Sequence, residues 1–332
     1  MSTPETNLST PGTNLSGADT PAAVAPPVSG AAHQSMLKTM VVLIRRELWE
    51  HRALWITPLI VGGLLVLTAF PIHIGNTTFG AHQDELGRPE NRVGMFTLML
   101  WGQSVPQYLV MAIVVSFYLM DCLYQERKDR SILFWKSLPV SDANTVISKL
   151  LVGLVVVPLG VYLTAMVCGV LFQAVWAART AAGALPNIAV GWDTVAWLKV
   201  QGLMLYGLLV SMLWFAPMAA FLLLVSAWAR KNVFLWASLP PLIAILIERH
   251  AFGTHYTLRL LEYRSWSGIW NVLLSEPITS ESGHGRVYSL ADLFDNTSMS
   301  RAFLNIDLWL GLAVAAVFVF AAIRLRRYRD DT

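Results

Sequence analysis

Charge is what this sequence has least of. Only 14% of its 332 residues are Asp, Glu, Lys or Arg, against 55% hydrophobic, and the mean hydropathy is +0.53. The apolar residues fall in long blocks, which excludes an ordinary soluble chain in favour of an integral membrane protein. Cysteine is almost absent. Cys122 and Cys168 are too few for a disulfide framework, and their places, at the end of one apolar block and well inside the next, read as two buried thiols. Short catalytic signatures are missing as well. There is no G-x-x-x-x-G-K-[ST], so ATP is not bound through a P-loop, and no H-E-x-x-H, G-x-S-x-G or cysteine–histidine cluster. His284, in Ser-Gly-His-Gly, reads as a solvated loop histidine and not as a metal ligand. No catalytic residue, metal site or resident cofactor is therefore expected, and no nucleic-acid partner.

What is present divides the chain clearly. Residues 1–35, rich in Ser, Thr, Pro, Ala and Gly, read as a disordered tail without the basic start and apolar core of a secretory leader. Residues 36–53 alternate apolar and charged side chains at helical spacing. Val41, Ile44, Leu48 and Trp49 share one face, with Arg45, Arg46, Glu47, Glu50 and Arg52 around the other. That pattern suits an amphipathic helix in the membrane interface with its basic side chains toward lipid head groups, or a solvated extension of the first span. Six segments then reach the roughly 20 apolar residues needed to cross a bilayer: 54–72, 98–120, 147–175, 201–228, 232–247 and 306–323. The fifth is short and holds Pro240-Pro241, which predicts a broken or re-entrant helix. Pro58, Pro106, Pro158 and Pro217 can each kink a span.

Lys and Arg set the orientation. Fifteen of the 24 fall on the side of the N-terminal region, the 121–149 loop, the 228–232 turn and the basic tail 324–332. Five of the other nine sit in the long 248–305 loop, where charge counting carries least weight. The expected fold is an all-α polytopic membrane protein with six transmembrane helices, an N-terminal interfacial helix and both termini cytoplasmic. The 248–305 loop is then extracytoplasmic. Leu258, Leu261, Ile269, Trp270, Leu273 and Leu274 predict an amphipathic helix within it, resting on the outer leaflet or on the spans.

The middles of the spans contain no Asp, Glu, Lys, Arg or His, whereas ion-coupled carriers place charged partners there. Their polar residues, Gln103, Gln107, Thr164, Gln173 and Ser211, read as helix–helix hydrogen-bonding groups. Gly160, Thr164 and Cys168 recur at steps of four in the third span, with Gly153 before them. The stripe favours close helix packing, within the bundle or across a dimer seam.

The stretch Asp121 to Lys149 stands apart. Glu126, Arg127, Lys128, Asp129 and Arg130 give way to Ile132-Leu133-Phe134-Trp135, and Pro139 ends the short helix these residues predict. Ser141 or Asp142 can cap the helix that becomes the third span. Four large apolar residues in a charged loop need a cover, either the membrane surface or a cleft on another protein.

The run ERKDRSILFWKSLPVSDANTVISK resembles the cytoplasmic loop of type-two ABC exporter permeases, at Glu126, Arg127, Ser137, Pro139, Val140, Ser141 and Lys149. The amphipathic RRELWEHR and the C-terminal arginines also resemble that family, and the likeness covers roughly residues 38–329. Arg130-Ser131 stands where the family often has Gly-Thr. The resemblance implies a permease in a bacterial cytoplasmic (inner) membrane, paired with a second permease copy and seated on separate ATP-binding cassette ATPase subunits that hold ATP and Mg²⁺. Glu126, Arg127, Arg130, Ile132, Leu133, Phe134, Trp135 and Pro139 would then couple to the ATPase. Arg45, Arg46, Glu47 and Trp49 would belong to the interfacial helix, with the lipid bilayer as a further partner. The alternatives are a secondary transporter or channel, or a membrane scaffold for extracytoplasmic assembly.

Overall fold

A computed structural model describes residues 36–70, 89–129, 140–182, 194–269 and 299–328. Every regular element among them is helical. In chain order these are α1 (Met36–Glu50), α2 (Ala53–Leu67), α3 (Pro89–Lys128) and α4 (Asp142–Leu151), which continues through a π turn (Val152–Val156) into α5 (Val157–Ala181). There follow α6 (Thr194–Trp228), α7 (Val233–Ile247) with a π turn at Glu248–Phe252, and α8 (Tyr256–Glu262) with a π turn at Tyr263–Ser267. Last come α9 (Met299–Leu304) and α10 (Ile306–Tyr328).

Five of these helices are long and apolar enough to cross a membrane: Leu100–Lys128, Asp142–Arg179, Thr194–Trp228, Val233–Phe252 and Ile306–Tyr328. A sixth crossing is available only if α1 and α2 are taken as one span, and they are bent by 60° at His51-Arg52. That is the architecture of a membrane-embedded helical protein. The segment with Pro240-Pro241 runs as helix through both prolines and on to Phe252, longer than its sequence suggests. Pro158 lies two residues past the end of the first π turn. Its ring and missing N–H disturb bonding to the carbonyl four residues back, and the wider turn absorbs the defect.

The 35-residue α6 is the hub, packed along α10 and α3, while α2 lies against α5 and α3. Small residues set the closest approaches. A Cβ on Gly62 would lie 2.7 Å from Cys168 Sγ, and one on Gly153 3.0 Å from Leu119. Gly160, by contrast, faces open space. The small-residue stripe is thus divided between two contacts and does not form one seam. The span amides and hydroxyls differ from expectation too. Gln103 does reach another helix, donating to Leu65 O at 3.4 Å, but Gln107, Thr164 and Ser211 donate to carbonyls four residues back in their own helices. A hydroxyl four residues from a free lone pair finds that partner without any neighbour.

At one end of the bundle α8 and its π turn fold back onto α6 and α10. The Glu248 carboxylate accepts from the N–H groups of Tyr256 and Thr257 and so caps α8, across a turn that needs Gly253 at φ 63°. Trp214 is fully buried beneath this turn, beside Tyr206, Val210, Ile269 and Leu308. Its Nε1 donates to Arg264 O at 2.9 Å, and the Arg264 guanidinium covers its ring at 4.4 Å. Arg264 in turn donates to Asp307 O and occupies the space Gly311 leaves, where a Cβ would fall 2.6 Å from Nη1. Of the apolar positions read as one amphipathic face, Ile269 is buried and Leu258 is exposed, while Trp270, Leu273 and Leu274 lie outside the described residues. The 1–35 tail and His284 lie outside them as well.

Candidate functional site: a buried ion-pair cluster

The opposite end of the bundle collects charge that the sequence scatters. Lys149, near the start of the α4–α5 span, is 1% exposed, and its Nζ lies 2.7 Å from Glu47 Oε1 and 3.1 Å from Glu126 Oε1. Arg326, near the end of α10, places Nη1 2.5 Å from Glu126 Oε2 and Nε 3.0 Å from Asp142 Oδ1. Arg46 Nη2 closes the ring at 2.7 Å from Glu47 Oε1 and 3.1 Å from Glu126 Oε1. Tyr118 donates to Glu47 Oε2 at 3.1 Å. Three carboxylates thus face three cations drawn from α1, α3, α4 and α10. Balanced pairing with hydrogen bonds is what lets so many charges leave water together.

His51, in the α1–α2 break, stacks edge-on against Tyr118 with ring centroids 4.9 Å apart. Burial holds its imidazole below the ordinary histidine range, with the Glu47 carboxylate pulling the other way. Glu47, Glu50 and His51 could supply three ligand atoms within reach of one ion. Glu47 is already committed to Lys149, Arg46 and Tyr118, so the ion-pair geometry accounts for it.

A second lock lies beside the cluster. The buried Ser226 hydroxyl accepts from the N–H groups of Leu123 and Tyr124 at 3.0 and 3.1 Å, tying α6 to α3. Arg127 donates to Ser226 O and Ala229 O at 2.6 and 2.8 Å, satisfying carbonyls at the α6 C-terminus. Ser226→Val removes the acceptor that α6 offers to these N–H groups, which keep their carbonyls within α3, and should cost about 0.5–1.5 kcal/mol in unfolding of the purified protein. Ser226→Thr, which keeps the acceptor, should cost less.

The residues singled out in the sequence fall into two groups. Glu126 and Arg127 point into the bundle, bonded to α10, α4, α1 and α6. Arg130, Ile132, Leu133, Phe134, Trp135 and Pro139 lie outside the described residues. On α1, Arg45 and Trp49 are exposed and in cation–π contact at 5.9 Å, as suits a polar–apolar boundary. The face assignment of α1 is nevertheless corrected. Glu47 is 1% exposed while Val41, Val42 and Trp49 are all above 60% exposed, because Glu47 finds Lys149 and Tyr118 inside. Ser141 provides the helix cap, accepting from Asn144 N at 3.2 Å, which frees Asp142 for Arg326.

Sequence reasoning missed the roles of Lys149, Arg326, Asp142 and Tyr118. Lysine at the head of an apolar span is one available signal, since it needs either an interface to reach or an acid to meet. No protein-family model, curated protein or solved structure matches the chain.

Proposed function

We propose that this chain is the membrane-spanning permease subunit of an ATP-binding cassette exporter, driven by a separate ATPase subunit and working with a second permease copy in a bacterial inner membrane. In this reading α1 and α2 together supply the first of six crossings, α1 lying along the interface and α2 entering the membrane after the 60° bend, and the ion-pair cluster marks the cytoplasmic end with both termini. The reading rests on the resemblance of the 126–149 stretch. The observation that supports it best is that two charges of that stretch, Glu126 and Lys149, are partners 3.1 Å apart.

That pairing has a mechanical consequence. Segment 130–139 leaves α3 just after Glu126 and Arg127, and enters α4 just before Asp142 and Lys149. All four are bonded to other elements. A push on Ile132–Trp135 therefore enters a part of the bundle where α1, α3, α4, α6 and α10 are cross-tied, and it moves them together rather than bending one loop. Energy supplied from outside the chain also accounts for the missing P-loop and for spans without central charges.

Affinity purification of the tagged chain from its own membranes should bring down an ATPase carrying a Walker motif. Ile132→Asp and Trp135→Asp should each remove it while leaving membrane insertion intact. An association that survives both changes would show that these residues do not couple the two subunits.

A further inference from the structure

Next to the ion-pair cluster, a cavity of about 970 Å³ opens between the α1–α2 break, the C-terminal half of α3 and the turn into α7. Its three walls change character in the same way. On α3, Val114 and Phe117 are followed one turn later by Asp121 and then Tyr124. At the break, Glu50 and Arg52 give way to Leu54, and at the third wall Asn232 gives way to Val233, Phe234 and Leu235. Residues spaced three or four apart share one helix face, and seven residues of helix span about 10 Å. One space is therefore polar at the charged end of the bundle and apolar about 10 Å further along.

The polar part is not self-satisfied. Among the described residues neither the Asp121 carboxylate nor the Arg52 guanidinium has an ion pair or side-chain hydrogen bond, and Glu50 reaches only Arg46, at 3.3 Å. One cation and one anion without an ion pair thus flank the same cavity, with a second carboxylate and the His51 imidazole, which both carboxylates influence, beside them. On the apolar part, Phe117, Phe234 and Leu235 are 56%, 62% and 52% exposed.

We propose that this cavity binds a phospholipid whose head group joins a phosphate to a primary ammonium. The phosphate sits on Arg52, the ammonium between Asp121 and Glu50, and an acyl chain runs along Val114, Phe117 and Phe234. A primary ammonium offers three N–H donors to the carboxylates, whereas a quaternary ammonium offers none. A head group carrying only phosphate would still pair with Arg52 but would leave Asp121 and Glu50 without a cation. The volume is at the upper end of small-ligand sites, which suits a head group and the first part of a chain. This inference needs only that the bundle sits in a membrane, and it stands or falls separately from the transport reading.

The full-length chain, purified in detergent, would be offered equimolar phosphatidylethanolamine, phosphatidylcholine and phosphatidylglycerol and examined by native mass spectrometry. One phosphatidylethanolamine per chain should be retained about tenfold over either competitor, the worth of a single charge-assisted contact. Asp121→Asn should abolish the preference, whereas Arg52→Gln, which removes the phosphate contact common to the three lipids, should lower the retention of all three several-fold and leave the preference; both side chains are exposed and unpaired, so neither change should shift thermal unfolding. Equal retention of the three lipids, a preference for phosphatidylglycerol, a preference that persists in Asp121→Asn, or retention unchanged in Arg52→Gln would overturn the proposal.

Discussion

Lys149→Met should destabilise the chain by about 3–5 kcal/mol, the range found when one member of a buried ion pair is removed. The ammonium lies between two carboxylates and is out of reach of solvent, so no water can replace it. Methionine fills nearly the same volume. The loss therefore reports charge and hydrogen bonding, not a cavity. Glu47 keeps Arg46 and Tyr118, and Glu126 keeps Arg326, which places the expected value toward the lower end of the range. Adding Glu47→Gln to Lys149→Met should recover part of the loss, because it removes one of the two charges left without its partner. Arg45→Gln, an exposed cation on the same helix as Glu47, should stay within about 0.5 kcal/mol. Unfolding of the three variants in one detergent decides the matter. A Lys149→Met cost no larger than that of Arg45→Gln would mean the cluster does not hold these helices together.

Trp214→Ala should cost a further and independent 3–5 kcal/mol, roughly the loss for truncating a buried indole. The ring is 0% exposed and lies under Arg264 and against Tyr263. Its removal opens a cavity and frees the Arg264 carbonyl that its N–H satisfies, so the α8 turn should loosen from α6 and α10. Trp214→Phe keeps most of the packing and should cost clearly less. Trp214 and Lys149 sit at opposite ends of the bundle and share no partner. Their effects in a combined variant should therefore add to within about 0.5 kcal/mol. Marked non-additivity would show that the two ends move as one unit even at rest.

The helices were legible because long apolar runs are a signal of composition, read without knowing any contact. Their extents were less so. Segment 232–247 reads as short and broken at the proline pair inside it, yet α7 runs through both prolines, and its π turn adds Glu248–Phe252, whose charged residues a hydropathy reading leaves out. The candidate site was legible only in its parts. Glu126 and Lys149 were marked as members of one stretch, but nothing in their spacing says that they touch. Lys149 and Glu47 are 102 residues apart, and Arg326 and Glu126 are 200 apart, so their pairing belongs to the fold and not to any local pattern. The same reason inverted the face of α1. Helical periodicity sorts Glu47 with its charged neighbours, and only the presence of Lys149 and Tyr118 across the packing turns it inward. Arg264 shows the effect at the other end. It reads as a polar spacer between apolar positions, yet it lies on the Trp214 ring in the gap left by Gly311.

In the proposed function, force enters the bundle through residues 130–139. ATP hydrolysis by the chain co-purified with the ATPase that the proposed function calls for, compared for the natural sequence, Trp135→Asp and Glu126→Gln, tests it directly. Trp135→Asp should release the ATPase and return hydrolysis to the level of that subunit alone. Glu126→Gln should keep the ATPase bound but lose the dependence of its hydrolysis on the permease. A chain that carries no ATPase, or one whose ATPase is indifferent to both substitutions, would contradict the account.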